Sequence, residues 1–82
     1  MASYSVDKTF SIQVPYNDQL IAVDVLPFYM SSRLVYRIIT ANFPDLVIGL
    51  NSFDNWEEIG GQGLIASALL YTIGERIDHY LL

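Results

Sequence analysis

Only one stretch of this sequence can form a long helix, and it follows four stretches that have the character of β-strands. At about residues 63–81, apolar residues recur at helical spacing and predict an amphipathic helix. Alternating or β-branched stretches predict strands at about residues 8–14, 19–26, 33–42 and 46–51. Short connections favour antiparallel neighbours. We therefore expect one α+β domain over residues 1–82, a four-stranded antiparallel meander (order 1-2-3-4) with one C-terminal helix packed on one face.

A few single residues predict where a strand ends, where the chain turns and where the helix makes a close contact. Pro27 cannot donate a ladder hydrogen bond and is expected to end the second strand. Residues 43–45 are expected to turn between the third and fourth strands. Asp54, followed three residues later by Glu57, has the spacing of a helix N-cap and predicts a helical turn or an irregular loop. Gly74, inside the helix, costs about 1 kcal/mol relative to alanine and predicts a close backbone contact.

The widths of the elements predict that part of the sheet stays uncovered. Four strands at about 4.8 Å spacing span roughly 19 Å, whereas one helix is about 10 Å across. The predicted registers place Val14 near Ile21, Asp24 near Arg37, and residue 42 near residue 46. The helix should then cover one face in part, and the opposite face should remain free.

That opposite face, called here the outer face, is mainly aliphatic where a water-facing sheet surface should be polar. Its candidate interface residues are Leu20, Ala22, Leu26, Val35, Arg37, Ile39 and Val47. Contact with a second copy would bury roughly 600–800 Å² per chain, the size of a standard interface. The leading hypothesis is a protein–protein interaction module that forms a homodimer, or docks on another protein, through the outer face.

Composition restricts the partners further. The net charge is −5, with only four Lys and Arg residues, which is too few for a nucleic-acid surface or for an anionic membrane surface. The chain has no cysteine, so disulfides and thiolate metal sites are excluded. No signal-peptide pattern is evident, and a cytoplasmic location is expected.

The sequence contains no set of residues that predicts an enzyme, a cofactor site or a metal site. Glu75 and His79 are one helical turn apart and could meet, but one pair supplies too few metal ligands. The arginines Arg33 and Arg37 could hold an anion, although a structural role is favoured. The glycine-rich stretch 60–63 lacks the rest of a phosphate-binding motif and is interpreted as a hinge before the helix.

Two alternatives to the interaction module remain open. Phe28 and Tyr29 in a loop beside Trp56 could line an apolar cleft between helix and sheet, which predicts a small-molecule binder. The acids between Asp45 and Glu58 could instead meet a basic protein, which predicts an acidic inhibitor or an antitoxin-like partner.

Overall fold

An antiparallel sheet followed by one C-terminal helix, as the sequence predicts, is the architecture of the protein. The computed structural model describes residues 9–63 and 65–81, so Lys8 of the first predicted strand and Leu64 of the predicted helix lie outside the described residues. The elements are β1 (Phe10–Tyr16), β2 (Gln19–Met30), β3 (Arg33–Thr40), β4 (Phe43–Leu50), β5 (Trp56–Gly60) and α1 (Ser67–Leu81). The sheet order is β1-β2-β3-β4-β5, which confirms the predicted meander and extends it by one strand.

The additional strand, β5, forms where a helical turn or loop was predicted. Asn51 organises the turn before it, because its Oδ1 accepts hydrogen bonds from two backbone N–H groups, at 2.8 and 3.1 Å. Asp54 has a φ of 62°, in the left-handed region rather than the extended conformation of an N-cap. Glu57 pairs across the sheet with Arg33 of β3, at 3.2 Å. The N-cap prediction is therefore wrong.

Pro27 lies within β2 instead of ending it. It is opposite Tyr36 of β3, and on its other side the described pairing of β1 with β2 stops at Phe10 and Val25. A proline is tolerated in a sheet at an edge or where strand pairing stops, because its missing N–H then removes no ladder hydrogen bond. The prediction that Pro27 ends the strand is therefore wrong.

The register between β1 and β2 is the predicted one, with Val14 opposite Ile21. The register between β2 and β3 differs, because a longer β2 joins β3 through a two-residue turn. Asp24 lies opposite Ile39, and the predicted pairing of Asp24 with Arg37 is wrong. The difference is an even number of residues, so each side chain stays on its predicted face of the sheet.

The turn between β3 and β4 is at residues 41–42 rather than at 43–45. Leu46 lies opposite Ile38 instead of Asn42, and the register shifts between Ile38 and Thr40 through a bulge. This difference is also even in number, so the alternation of faces along β4 is again preserved.

The sheet curls around the helix. α1 comes close to the backbone of the edge strands β1 and β5 but, within the described residues, not to that of the three central strands. The ring of Tyr80 stacks on Phe10 of β1, with centroids 3.8 Å apart, and Asp78 contacts Trp56 of β5. In a flat sheet the two edge strands would lie about 19 Å apart, too far for one helix to approach both. Strand twist and the bulges therefore shape a trough in which α1 lies.

The core fills the trough between α1 and the central strands. Its fully buried members include Val23, Val25, Ile38, Ile48, Ile73 and Ile77. Gly74 is buried under Trp56, and a Cβ at this position would overlap the indole ring. The prediction that Gly74 marks a close contact is confirmed, and the partner is a side chain of β5.

The helix begins later than the predicted residue 63. Gly61 and Gly63 have φ values of 154° and 70°, outside the right-handed helical region, so the loop continues through them. α1 therefore starts only at Ser67. No helix within residues 9–63 and 65–81 has the length and apolar character needed to cross a bilayer.

Candidate functional site

The three residues predicted to line a cleft do not face one common space. Phe28 is opposite Val35, on the outer face, whereas Tyr29 is opposite Leu34, on the helix side. Trp56 also lies on the helix side, where it covers Gly74. The alternation of side chains along β2 separates Phe28 from the other two.

Trp56 belongs to a packed aromatic group at one end of the trough. Its ring centroid is 5.6 Å from that of Tyr36, and its Nε1 donates to Asp78 Oδ2 at 3.4 Å. Burial raises the pKa of Tyr36, and the negative charge of Asp78 and the neighbouring Tyr29 raise it further. Trp56 is thus packed against Tyr36 and hydrogen-bonded to Asp78 at this end of the trough.

A cavity of about 410 Å³ opens at the other end of the trough. In an antiparallel meander the odd-numbered strands end where the even-numbered strands begin, so the end of β1, the start of β4 and the end of β5 meet there. Tyr16, Phe43 and Leu46 form the sheet wall, and Ile65 and Leu69 form the helix wall. The lining is therefore mainly apolar.

Small residues explain why this end of the trough stays open. Ala66 and Ala68 line the cavity at the start of α1, whereas the buried Ile73 and Ile77 fill the trough further along the helix. Tyr16 packs edge-on against Phe43, with ring centroids 5.7 Å apart and planes at 62°. This contact joins the end of β1 to the start of β4 and keeps the sheet wall in place.

The charged groups among the polar side chains of the cavity are carboxylates, and Asn17 and Gln62 add amide groups that can both donate and accept. Glu58 Oε2 accepts a hydrogen bond from the backbone N–H of Gly63 at 2.9 Å. Asp45 is paired with Arg37 at 3.0 Å. The Thr72 hydroxyl donates a hydrogen bond to the backbone carbonyl of Ala68 at 2.9 Å. None of the described lining residues carries a positive charge.

The seven residues predicted for the interface do lie on one face of the sheet, but they are exposed unequally. Leu26, Arg37 and Val47 form one cross-strand row, and Ile39 lies in the adjacent row. Leu20 is 64% exposed, Ala22 and Arg37 are exposed, Leu26, Ile39 and Val47 are half-buried, and Val35 is completely buried.

The burial of Val35 is a consequence of β5. Ile59 of β5 and Val35 of β3 approach each other over Gly49, where a Cβ would be 2.8 Å from Ile59 Cδ1 and 3.2 Å from Val35 Cγ1. Arg33, which pairs with Glu57, lies beside them. β5 therefore buries part of the apolar surface of the outer face, and a four-stranded sheet would leave that surface exposed.

The charged residues of the outer face are paired differently from the prediction. Asp24 accepts a hydrogen bond from the Ser11 hydroxyl at 2.7 Å, and Arg37 pairs with Asp45. Arg33 pairs with Glu57 and also donates to the carbonyl of residue 50 at 2.7 Å. Both arginines have acidic partners, so an anion between them would have to displace a carboxylate.

The remaining sequence candidates do not converge on a site. Glu75 and His79 are exposed on α1, and no three His, Asp or Glu side chains within the described ranges are grouped closely enough to hold a metal. Glu57 and Glu58 point to opposite faces of the sheet, the first toward Arg33 and the second toward the cavity. The acids at the end of the sheet thus do not form one acidic surface.

Sequence reasoning missed the cavity because its walls come from four separate segments. The signal that was present is the run of small residues at positions 66–68, which marks a helix turn unable to fill the space beneath it. Comparison of the chain with protein-family models, with curated proteins and with solved structures finds no match.

Proposed function

We propose that this protein is a small-molecule-binding domain whose ligand occupies the cavity between the start of α1 and the open end of the sheet. The observation that carries the proposal is the cavity itself, of about 410 Å³ and mainly apolar. Ligand sites in proteins are apolar clefts of roughly 300–1,000 Å³ with a few polar groups. This cavity has that size and that character.

The size of the cavity argues against a packing irregularity. Protein interiors are close-packed, and voids larger than one water molecule are few. At about 410 Å³ and open to solvent on one side, this space is a surface cleft far larger than such a void. The rest of the trough is filled by buried Ile73 and Ile77, so the chain packs its core well where no ligand would be held.

The walls indicate how binding would be stabilised. An apolar ligand would leave water and contact Tyr16, Phe43 and Leu69, and burial of apolar surface contributes about 25 cal/mol per Å² before association costs. Polar atoms of Glu58 and Gln62 lie at the rim and would orient the ligand.

Filling the cavity tests this proposal. Titration with n-octanol, followed by amide chemical shifts, should move the signals of residues 66–69 most. Leu69→Trp, and the smaller change Ala68→Leu, should weaken octanol binding because each places side-chain volume in the cavity. The control is Tyr71→Trp, since Tyr71 is on the same helix but 57% exposed and away from the cavity.

The proposal fails if octanol shifts no cavity signals in the wild-type protein. It also fails if both filled variants keep their native spectra and bind octanol as well as the Tyr71→Trp control does. The Ala68→Leu variant ensures a result even if the larger Leu69→Trp change disturbs folding.

A second candidate function is self-association through the outer face. The observation that favours it is the cross-strand patch of half-buried Leu26, Ile39 and Val47 with exposed Leu20 beyond it. Arg37 lies within this patch, between Leu26 and Val47, and pairs with Asp45, so a second copy related by a two-fold axis could offer opposite charges.

Sedimentation at micromolar concentrations tests the second candidate. Ile39→Glu is the informative change, because Ile39 is half-buried, whereas a charge at the fully buried Val35 would disturb the fold itself. We expect a dimer that Ile39→Glu converts to monomer and that the control Tyr71→Glu leaves intact. A wild-type protein that sediments as a 9.3 kDa monomer would exclude self-association.

A further inference from the structure

We infer that the cavity selects a ligand with a positively charged amine attached to an apolar body. This inference rests on the proposed function, since it specifies the ligand class of the same cavity. It follows from the charges at the wall, from the way Glu58 is held, and from the aromatic pair opposite the helix.

The charges at the wall are negative only. Among the described lining residues, Asp45 and Glu58 carry carboxylates and none carries a cation. The Asp45 charge is compensated by Arg37, at 3.0 Å, on the outer side of the sheet. Glu58 has no salt bridge within the described residues, so its charge remains available to a cationic ligand.

Glu58 is held in a fixed position by the loop that precedes α1. Its Oε2 accepts the hydrogen bond from Gly63 N–H, and a side chain at Gly61 would collide with this carboxylate. The described hydrogen bonds involve Oε2 alone, which leaves Oε1 with its acceptor capacity. Glu58 is only half-buried, so a cation beside it would not meet the large desolvation cost of a fully buried ion pair.

The aromatic residues at the sheet wall favour the same class of ligand. Tyr16 and Phe43 both line the cavity, and their rings meet edge to face with centroids 5.7 Å apart. The face of an aromatic ring attracts a cation and repels an anion. An ammonium group in contact with Glu58 and with the face of either ring would be stabilised by both, whereas a carboxylate would be repelled by both.

Three probes with the same eight-carbon alkyl chain separate charge from apolar contact: n-octylamine, n-octanol and n-nonanoate. At pH 7 the amine is a cation and the nonanoate an anion. By calorimetry or amide chemical shifts, octylamine should bind about fivefold or more tightly than octanol, the effect of a partly exposed charge-assisted hydrogen bond. Nonanoate should bind more weakly than octanol.

Glu58→Gln provides the decisive variant, because glutamine keeps an acceptor for Gly63 N–H and removes only the charge. It should lower octylamine affinity to within about twofold of octanol affinity, because only weak surface electrostatics then favour the amine. Glu75→Gln is the matched control, since it removes the same charge from an exposed position outside the cavity and should preserve the amine preference.

The outcomes distinguish the two proposals. If none of the three probes binds, the small-molecule proposal fails and this inference fails with it. If octanol binds but octylamine binds no more tightly, the amine inference is overturned while the small-molecule proposal stands. If the amine preference survives Glu58→Gln, or is lost equally in Glu75→Gln, the preference reflects the overall charge of −5, and the role assigned to Glu58 is overturned.

Discussion

Gly74→Ala should destabilise this protein, although alanine is the better helix former. Replacing a glycine within a helix by alanine is worth about 0.5–1 kcal/mol in favour of the helix. At Gly74, however, the added methyl group would overlap the indole ring of Trp56. Trp56 cannot move away freely, because it packs on Tyr36 and donates to Asp78.

The expected loss of stability is the cost of the overlap with Trp56 less the gain in helix propensity. Forcing one extra methyl group into a packed contact costs about 1–3 kcal/mol. After the helix-propensity gain, a net loss of about 0.5–2 kcal/mol remains. For a domain of this length, that loss lowers Tm by about 2–16 °C.

Urea and thermal unfolding, followed by far-UV circular dichroism and by the fluorescence of Trp56, measure the effect. Gly60→Ala is the matched control, because a Cβ there would be 3.7 Å from Val47 Cβ, an ordinary contact, and should change stability little. If Gly74→Ala proves as stable as the wild type, with unaltered tryptophan emission, the indole does not occupy the space above Gly74 and the reasoning is refuted.

Two further predictions concern the hairpin turn and the buried tyrosine. Ser31 and Ser32 form the turn between β2 and β3 with φ values of 51° and 70°. Ser31→Asn together with Ser32→Gly suits that turn better and should raise the free energy of unfolding in urea by about 0.5–1.5 kcal/mol, and a loss of stability would contradict this prediction. Because the pKa of Tyr36 is raised in the folded protein, the unfolded chain loses the phenolic proton first above pH 10, and the free energy of unfolding declines as the pH rises further. Tyr36→Phe should flatten this alkaline decline in unfolding measurements between pH 9 and pH 11, and an unchanged pH dependence would show that Tyr36 does not cause it.

The local sequence signals were weakest where tertiary contacts outweighed them. The Asp54–Glu57 spacing is typical of a helix start, yet Asn51 imposes a turn and Glu57 finds a partner in Arg33, two strands away in the sheet. Pro27 is typical of a strand end, yet β2 continues through it where the described part of β1 has ended. Arg33 and the end of β1 are distant in sequence from these positions, so no local pattern could reveal them, whereas the Asn51 turn is a local feature.

The assignment of side chains to the two faces of the sheet is unaffected by these errors, because it depends only on whether a position is odd or even along the strand. A register that is wrong by an even number of residues leaves every side chain on its side of the sheet. Leu26 and Val47 are therefore on the outer face as expected, and Val23 and Ile38 on the opposite side are in the core, although the cross-strand partners differ from the predicted ones.

Residue patterns alone thus determined the meander, the C-terminal helix and the face on which each side chain lies, because hydrophobic periodicity and short connections are local properties of the chain. The tertiary structure decided the fifth strand, the curl of the sheet and the coverage of the helix side. A single helix approaches both edge strands only because the sheet bends around it. The same curl creates the cavity, whose walls at Tyr16, Phe43, Glu58 and Leu69 come from segments far apart in the sequence. Such a space is defined by how the elements pack against one another, and no single stretch of sequence contains it.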